Sequence, residues 1–167
     1  MSPVFLFEDS ATSPSCKIEQ HDDDIITCDL TRQLTYDPEE LLRLMQEEGW
    51  DLHYDSEVVQ RLTRVEQTGP LSITFFRAAG LKGDALPMEY EKYGLDPLDF
   101  MTLATVNKFC PGFVRRHANA TQWLDIEAGA LCHAAFTPGI TRKGKIHVDN
   151  DMNTWSGNWW FGGICFM

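Results

Sequence analysis

The run Asp37-Pro38-Glu39-Glu40-Leu41-Leu42-Arg43-Leu44-Met45-Gln46-Glu47-Glu48-Gly49 constrains the fold more than any other stretch, because every position in it favours one local structure. Asp37 is a capping residue, Pro38 suits the first helical position, where its missing N–H costs no hydrogen bond, and Glu40 sits where a capping box places its acid. The acidic start complements the positive end of the helix dipole, and Gly49 supplies a left-handed stop. Leu41, Leu44 and Met45 recur at helical spacing and predict one apolar stripe. A short helix of this kind is stable only when that stripe is packed on something else.

A second periodicity supplies the partner. Leu71-Ser72-Ile73-Thr74-Phe75-Phe76-Arg77 alternates apolar and polar residues for most of its length and predicts a half-buried strand, and Ile25-Ile26-Thr27-Cys28-Asp29-Leu30 reads as a shorter one. Another helix opens at Asp55 or Ser56, carries Val58, Val59, Leu62 and Val65 on one face, and stops near Thr68-Gly69-Pro70. Asp96-Pro97 repeats the cap-plus-proline opening and predicts a helix to about Phe109, ended by Pro111-Gly112, while residues 80–94 read as a connection. Leu124, Ala128, Leu131 and Ala135 share a helical face, yet Gly129 weakens that reading by ~1 kcal/mol relative to alanine, so residues 114–136 stay open between helix and strand. Residues 145–149 and 155–166 read as two strands joined by the polar turn Asn150-Asp151-Met152-Asn153, a C-terminal β-hairpin.

The expected fold is α+β. It is a single domain over residues 1–167, with a mixed or antiparallel sheet, three or four helices and the terminal hairpin completing it. A chain of this length buries roughly two thirds of the surface its unfolded form exposes, so no staple is needed. Residues 8–24 form the exception. Their Ser, Thr, Pro and the run His21-Asp22-Asp23-Asp24 disfavour packing and predict a loose arm.

Charge narrows the partners. Twenty-five acidic against 14 basic residues give a net charge of −11, a field that repels nucleic acid and anionic lipid. Arg115-Arg116-His117 and Arg142-Lys143-Gly144-Lys145 are local basic clusters, each able to hold one carboxylate or phosphate. A basic protein is the complementary macromolecule, so one reading is an acidic interaction module of inhibitor or immunity type; a second copy of the chain is another possible partner. The opening residues lack a basic segment followed by an apolar core, and no stretch approaches the ~20 apolar residues that span a bilayer. The expected location is therefore cytoplasmic, without membrane association.

Cys16, Cys28, Cys110, Cys132 and Cys165 are odd in number and show no C-x-x-C spacing, which predicts reduced, mostly buried thiols rather than a disulfide framework or a zinc ribbon. Asn119-Ala120-Thr121 matches a glycosylation acceptor. There is no Gly-x-Ser-x-Gly elbow and no phosphate-cradling glycine loop. Cys132-His133 is no nucleophile pair, because neighbours in a strand or helix point apart.

The residues that carry chemistry cluster near the C-terminus. In a strand, His147 and Asp149 project from the side opposite Ile146 and Val148, while Trp155, Trp159 and Phe161 share one side of the next strand and Trp160 takes the other. Where the His/Asp face meets an aromatic face, a titratable pair lies beside an apolar wall, the usual make-up of a small-molecule site. The expected function is a cofactor-free enzyme of lyase, dehydratase, isomerase or cyclase type acting on a hydrophobic small molecule. His147 is the proton-transfer group oriented by Asp149 or Asp151, His133 and Glu127 are reserves, and Trp155, Trp159, Trp160 and Arg142 hold the substrate.

His147-Val148-Asp149 also resembles the first two ligands of the iron- and 2-oxoglutarate-dependent oxygenases, which implies a divalent metal at His147 and Asp149 as an alternative. The resemblance covers those three residues alone. Eighteen residues follow Asp149 and none is His or Arg, so that family's second histidine and cosubstrate anchor have no counterpart among them.

Overall fold

The computed structural model describes residues 15–32, 37–62, 69–140, 143–150 and 155–165. In chain order these form β1 (Cys16–Gln20), β2 (Ile25–Leu30), α1 (Pro38–Glu47), β3 (Trp50–Tyr54), α2 (Ser56–Gln60), β4 (Leu71–Leu81), a 3-10 turn (Gly83–Ala85) and α3 (Leu86–Lys92). There follow β5 (Leu95–Pro97), α4 (Phe100–Phe109), α5 (Pro111–Arg116), β6 (Asn119–Asp125), β7 (Ala130–Pro138), β8 (Gly144–Asp149) and β9 (Trp155–Cys165). One nine-stranded sheet runs in the order β1-β2-β4-β9-β6-β7-β8-β3, with β5 pairing alongside β9. The β6/β9 and β3/β8 pairs are parallel and the others antiparallel, so the sheet is mixed.

The core lies mainly on one side of this sheet. Ile26 and Cys28 of β2, Ile73 and Phe75 of β4, Phe136 of β7, and Ile146 and Val148 of β8 form one cluster with side chains of α1, α2, α4 and α5. The other side carries a smaller cluster in which Leu86 and Tyr90 of α3 cover Phe76 and Phe161, next to Trp155. Helices therefore pack on both faces, four against one and one against the other. Among the described residues no helix is long and apolar enough to cross a membrane.

The opening helix forms as its caps dictate. Asp37 accepts a hydrogen bond from the Glu39 N–H, and Gly49 takes φ 109° just beyond the C-terminal end. Its buried stripe is Leu41, Leu42 and Met45, with Leu44 only half-buried. At α4 the cap is Asp99, whose carboxylate accepts from the Thr102 N–H and hydroxyl at 2.8 and 2.7 Å. Asp96 and Pro97 belong instead to β5, paired with Ile164 and Gly163. Pro111 ends α4 as expected and then opens α5.

Several expectations are corrected. Among the described residues there are five helices, because residues 80–94 contain α3 as well as the 3-10 turn. The segment 8–24 is not loose throughout: Cys16–Gln20 is an edge strand paired with β2, whereas residues 8–14 lie outside the described residues. Helix α2 is only five residues long, Leu62 falls beyond it, and Val65 lies outside the described residues. Residues 119–138 form an antiparallel hairpin, not a helix, because Gly129 at φ 65° closes a turn over residues 126–129. The C-terminal hairpin does not exist. β8 pairs with β7 and β3, β9 pairs with β4, β5 and β6, and β6 and β7 lie between them. Gly144 starts β8 because a Cβ there would lie 2.5 Å from the Thr137 carbonyl oxygen and 2.8 Å from the Trp50 ring.

Two polar links, one buried and one half-buried, hold the layers in register. Asn107 of α4 and Asn119 of β6 exchange side-chain hydrogen bonds at 2.8 and 2.9 Å, and Asn119 also donates to the His117 carbonyl at 3.0 Å. Asn119 is fully buried, so the Asn119-Ala120-Thr121 match is no glycan acceptor in the folded chain. Arg61, after α2, donates through Nε to Asp125 at the end of β6, and Asp125 also accepts from the Ala128 N–H at 3.2 Å.

The Arg61 guanidinium holds the Asp125 carboxyl below its ordinary pKa. A carboxylate with a depressed folded-state pKa stabilises the fold above its unfolded value, about 4, and that contribution fades as pH falls through the folded value. Asp125→Asn is expected to unfold at a lower urea midpoint than the native chain at neutral pH, with the gap closing in acid. A gap of equal size at both pH values would remove the ion pair as its cause.

Candidate functional site

Strands β7, β8 and β3 place three histidines side by side on the face opposite the main core. Because β8 alternates, Ile146 and Val148 are fully buried beneath the helices while His147 and Asp149 emerge on the other side. His53 of β3 stands directly opposite His147 in the parallel register, and His133 of β7 stands opposite Asp149. The His133 and His147 rings are 5.7 Å apart and parallel to within 2°, and His147 and His53 are 6.4 Å apart at 18°.

The middle histidine and the one on the edge strand each have a carboxylate two residues away on their own strand. His147 Nε2 lies 3.5 Å from Asp149 Oδ2, and Asp149 Oδ1 accepts the Asn150 N–H at 2.7 Å, which orients the carboxylate. His53 Nε2 lies 3.1 Å from Asp51 Oδ2. The order of residues is mirrored, Asp51-Leu52-His53 against His147-Val148-Asp149, so in the parallel register the two imidazoles are neighbours and the carboxylates lie on opposite sides of them.

The aromatic wall continues the row. Trp155 packs edge-on against His133 at 5.3 Å, Trp159 packs on Trp155 at 5.0 Å, and Phe161 lies 5.2 Å from Trp155. Across the strands the register reads Phe161, Ala120, Ala135, His147, so only two methyl groups separate the aromatic end from the imidazole. The exposure is graded along this row. His133 is 6% exposed and Trp155 8%, whereas the His147 side chain is 43% exposed.

Two buried polar atoms flank His133. Gln122, directly across from it on β6, buries its Oε1, and Trp155 buries its Nε1; among the described residues neither atom has a hydrogen-bond partner. A buried polar atom left so costs about 1–3 kcal/mol, and sites that bind ligands commonly carry it. One is an acceptor and the other a donor.

Of the residues the sequence singled out, His147, Asp149, His133, Trp155 and Trp159 come together. Trp160 does not: it is buried on the helix-covered face, 5.0 Å from His117. Glu127 sits exposed in the β6–β7 turn. Arg142 and Asp151 lie outside the described residues. His117, half-buried beside Arg116, has its pKa lowered by desolvation and then by that charge. Sequence reading missed His53, Asp51 and Gln122. For the first two a signal existed, since Trp50-Asp51-Leu52-His53 alternates apolar and polar just as a strand does.

A separate cleft of about 370 Å³ is lined by Arg61, Leu98, Phe100, Trp123 and Asp125, among others, and contains none of these histidines. The chain matches no protein-family model, no curated protein and no solved structure.

Proposed function

We propose that the histidine-bearing face binds a small, largely apolar molecule and that His147 transfers a proton to or from it, chemistry of the lyase, dehydratase, isomerase or cyclase kind. The observation that carries this reading is the pair of buried, unpartnered groups, Trp155 Nε1 and Gln122 Oε1, on either side of His133. A ligand carrying one hydrogen-bond acceptor and one donor satisfies both atoms while its apolar part lies on Trp155, Trp159 and Phe161. That pose brings it beside the parallel imidazoles. His147, the middle ring, is half-exposed and so can exchange its proton with water between turnovers, and the Asp149 carboxylate 3.5 Å from its Nε2 orients it. These groups supply binding, orientation and proton transfer without a cofactor.

The chain has five histidines, and His21 and His117 lie away from the row, so they serve as internal controls. Titrating the protein with hydrophobic carbonyl or hydroxy compounds is expected to move the imidazole resonances of His53, His133 and His147 and to leave those of His21 and His117 in place. Equal movement of all five, or of the two controls alone, would overturn the reading. Salt-sensitive binding of a basic protein with the three resonances unmoved would favour the acidic interaction module.

A further inference from the structure

A second cluster lies at the other end of the sheet and plays no part in the histidine site. The Sγ atoms of Cys16, Cys28 and Cys110 all lie within 4.8 Å of one another. Two come from the paired strands β1 and β2 and the third from the end of α4, distant in sequence. Ile18 of β1 pairs with Cys28 of β2, so Cys16 and Cys28 are diagonal neighbours on one face of the edge hairpin. Cys110 caps the C-terminal end of α4, its N–H bonded to the Val106 carbonyl at 2.8 Å and its own carbonyl accepting from Phe113 at 2.9 Å. Cys28 is fully buried and the other two are half-buried, while a cleft of about 430 Å³ lined by Ile18, Cys110, Phe113, Arg115, Arg116 and His117 reaches the group from the surface.

We propose that Cys16, Cys28 and Cys110 bind one soft d10 metal ion, zinc(II) or copper(I), that pins the β1–β2 hairpin to the α4–α5 junction. Three thiolates are a donor set that soft ions favour and that calcium and magnesium do not. With a metal–sulfur bond of about 2.3 Å, three sulfurs around one ion stand about 3.8–4.0 Å apart, so the observed spacing needs a contraction of less than about 1 Å. Copper(I) is satisfied by three thiolates; zinc(II) takes a fourth ligand, which water entering by the cleft supplies. Arg115 and Arg116 at its mouth offset the negative charge that three thiolates leave on either ion. A disulfide explains the group less well, because it uses two of the three sulfurs and leaves the third beside it.

The test uses the full chain, purified with a reductant and freed of metal by a chelator, then titrated without oxygen with zinc(II) or copper(I) against a competing chromophoric chelator. One equivalent of one ion is expected to bind, to protect three of the five thiols from alkylation and to raise the thermal midpoint. Cys16→Ser, at a half-buried position on an otherwise exposed edge strand, is expected to weaken binding at least ~100-fold, more than loss of a group that only supports a ligand. Circular dichroism checks that this variant folds, and Cys165→Ser, outside the cluster, is expected to bind as the native chain does. The proposal is overturned if the native chain does not compete for either ion. It is equally overturned if Cys16→Ser and Cys110→Ser bind unchanged, or if the native protein carries a disulfide between two of the three cysteines and takes up no metal once reduced.

Discussion

Replacing Phe136 with alanine is expected to lower the stability of the fold by about 3–5 kcal/mol, the usual cost of emptying a buried phenylalanine site. Phe136 is fully buried in β7, edge-on to Trp50 of β3 at 5.8 Å and stacked with Phe100 of α4 at 6.3 Å. Its ring therefore joins an edge strand, a central strand and a helix. Neither large neighbour can fill the space without leaving its other contacts, so the cavity persists and the cost stays near the full value. For a chain of this size the loss corresponds to a fall of roughly 6–20 °C in thermal midpoint. Leu124→Ala, at a side chain 60% exposed on the neighbouring strand, is the control and is expected to change stability by less than about 0.5 kcal/mol. Thermal and urea denaturation of both variants measure the difference; a Phe136→Ala loss below about 1 kcal/mol would mean that these rings do not form the centre of the core.

His147→Ala is expected to slow turnover by about 10²–10⁴-fold, the contribution of a positioned acid–base group. That range corresponds to about 3–5 kcal/mol of transition-state stabilisation. The side chain is 43% exposed and packs against the neighbouring imidazoles and Asp149, so the thermal midpoint is expected to move little. This separation of activity from stability distinguishes a catalytic group from a structural one. Asp149→Asn keeps the size of the side chain but removes the carboxylate 3.5 Å from the ring, and is expected to slow turnover less than His147→Ala does. The substrate is whichever hydrophobic compound moves the three imidazole resonances. Unchanged turnover of that compound by His147→Ala would take this residue out of the mechanism.

Much of the candidate site was legible because strand alternation is a local property. The placement of His147 and Asp149 opposite Ile146 and Val148, and of Trp155 and Trp159 opposite Trp160, follows from the two-residue period alone. What could not be read was which strand lies next to which. Residues 145–166 look like a hairpin because the two strands are close in sequence and joined by polar residues. In the fold β6 and β7 separate them, and this insertion is what brings His133 and Gln122 between His147 and the tryptophans. His53 joins the row only because β3 pairs in parallel with a strand some ninety residues later, a contact for which no neighbouring residue carries a signal. Residues 114–136 stayed open in the sequence for a different reason. Leu124, Ala128, Leu131 and Ala135 have helical spacing, but β6 and β7 pair with each other along seven residues and β7 pairs with β8 on its other side, which outweighs a weak helical propensity interrupted by Gly129.

By itself the amino-acid sequence determined the elements whose causes lie within a few residues: the capped helix after Asp37, the inside and outside of each alternating strand, and the acidic charge. Only the tertiary structure decided the order of the strands, the row of three imidazoles and the meeting of three cysteines from β1, β2 and the end of α4. The physical reason is that caps and periodicities act through bonds made inside one segment. Strand partners, in contrast, are chosen by matching apolar faces across the whole chain against the entropy of closing long loops.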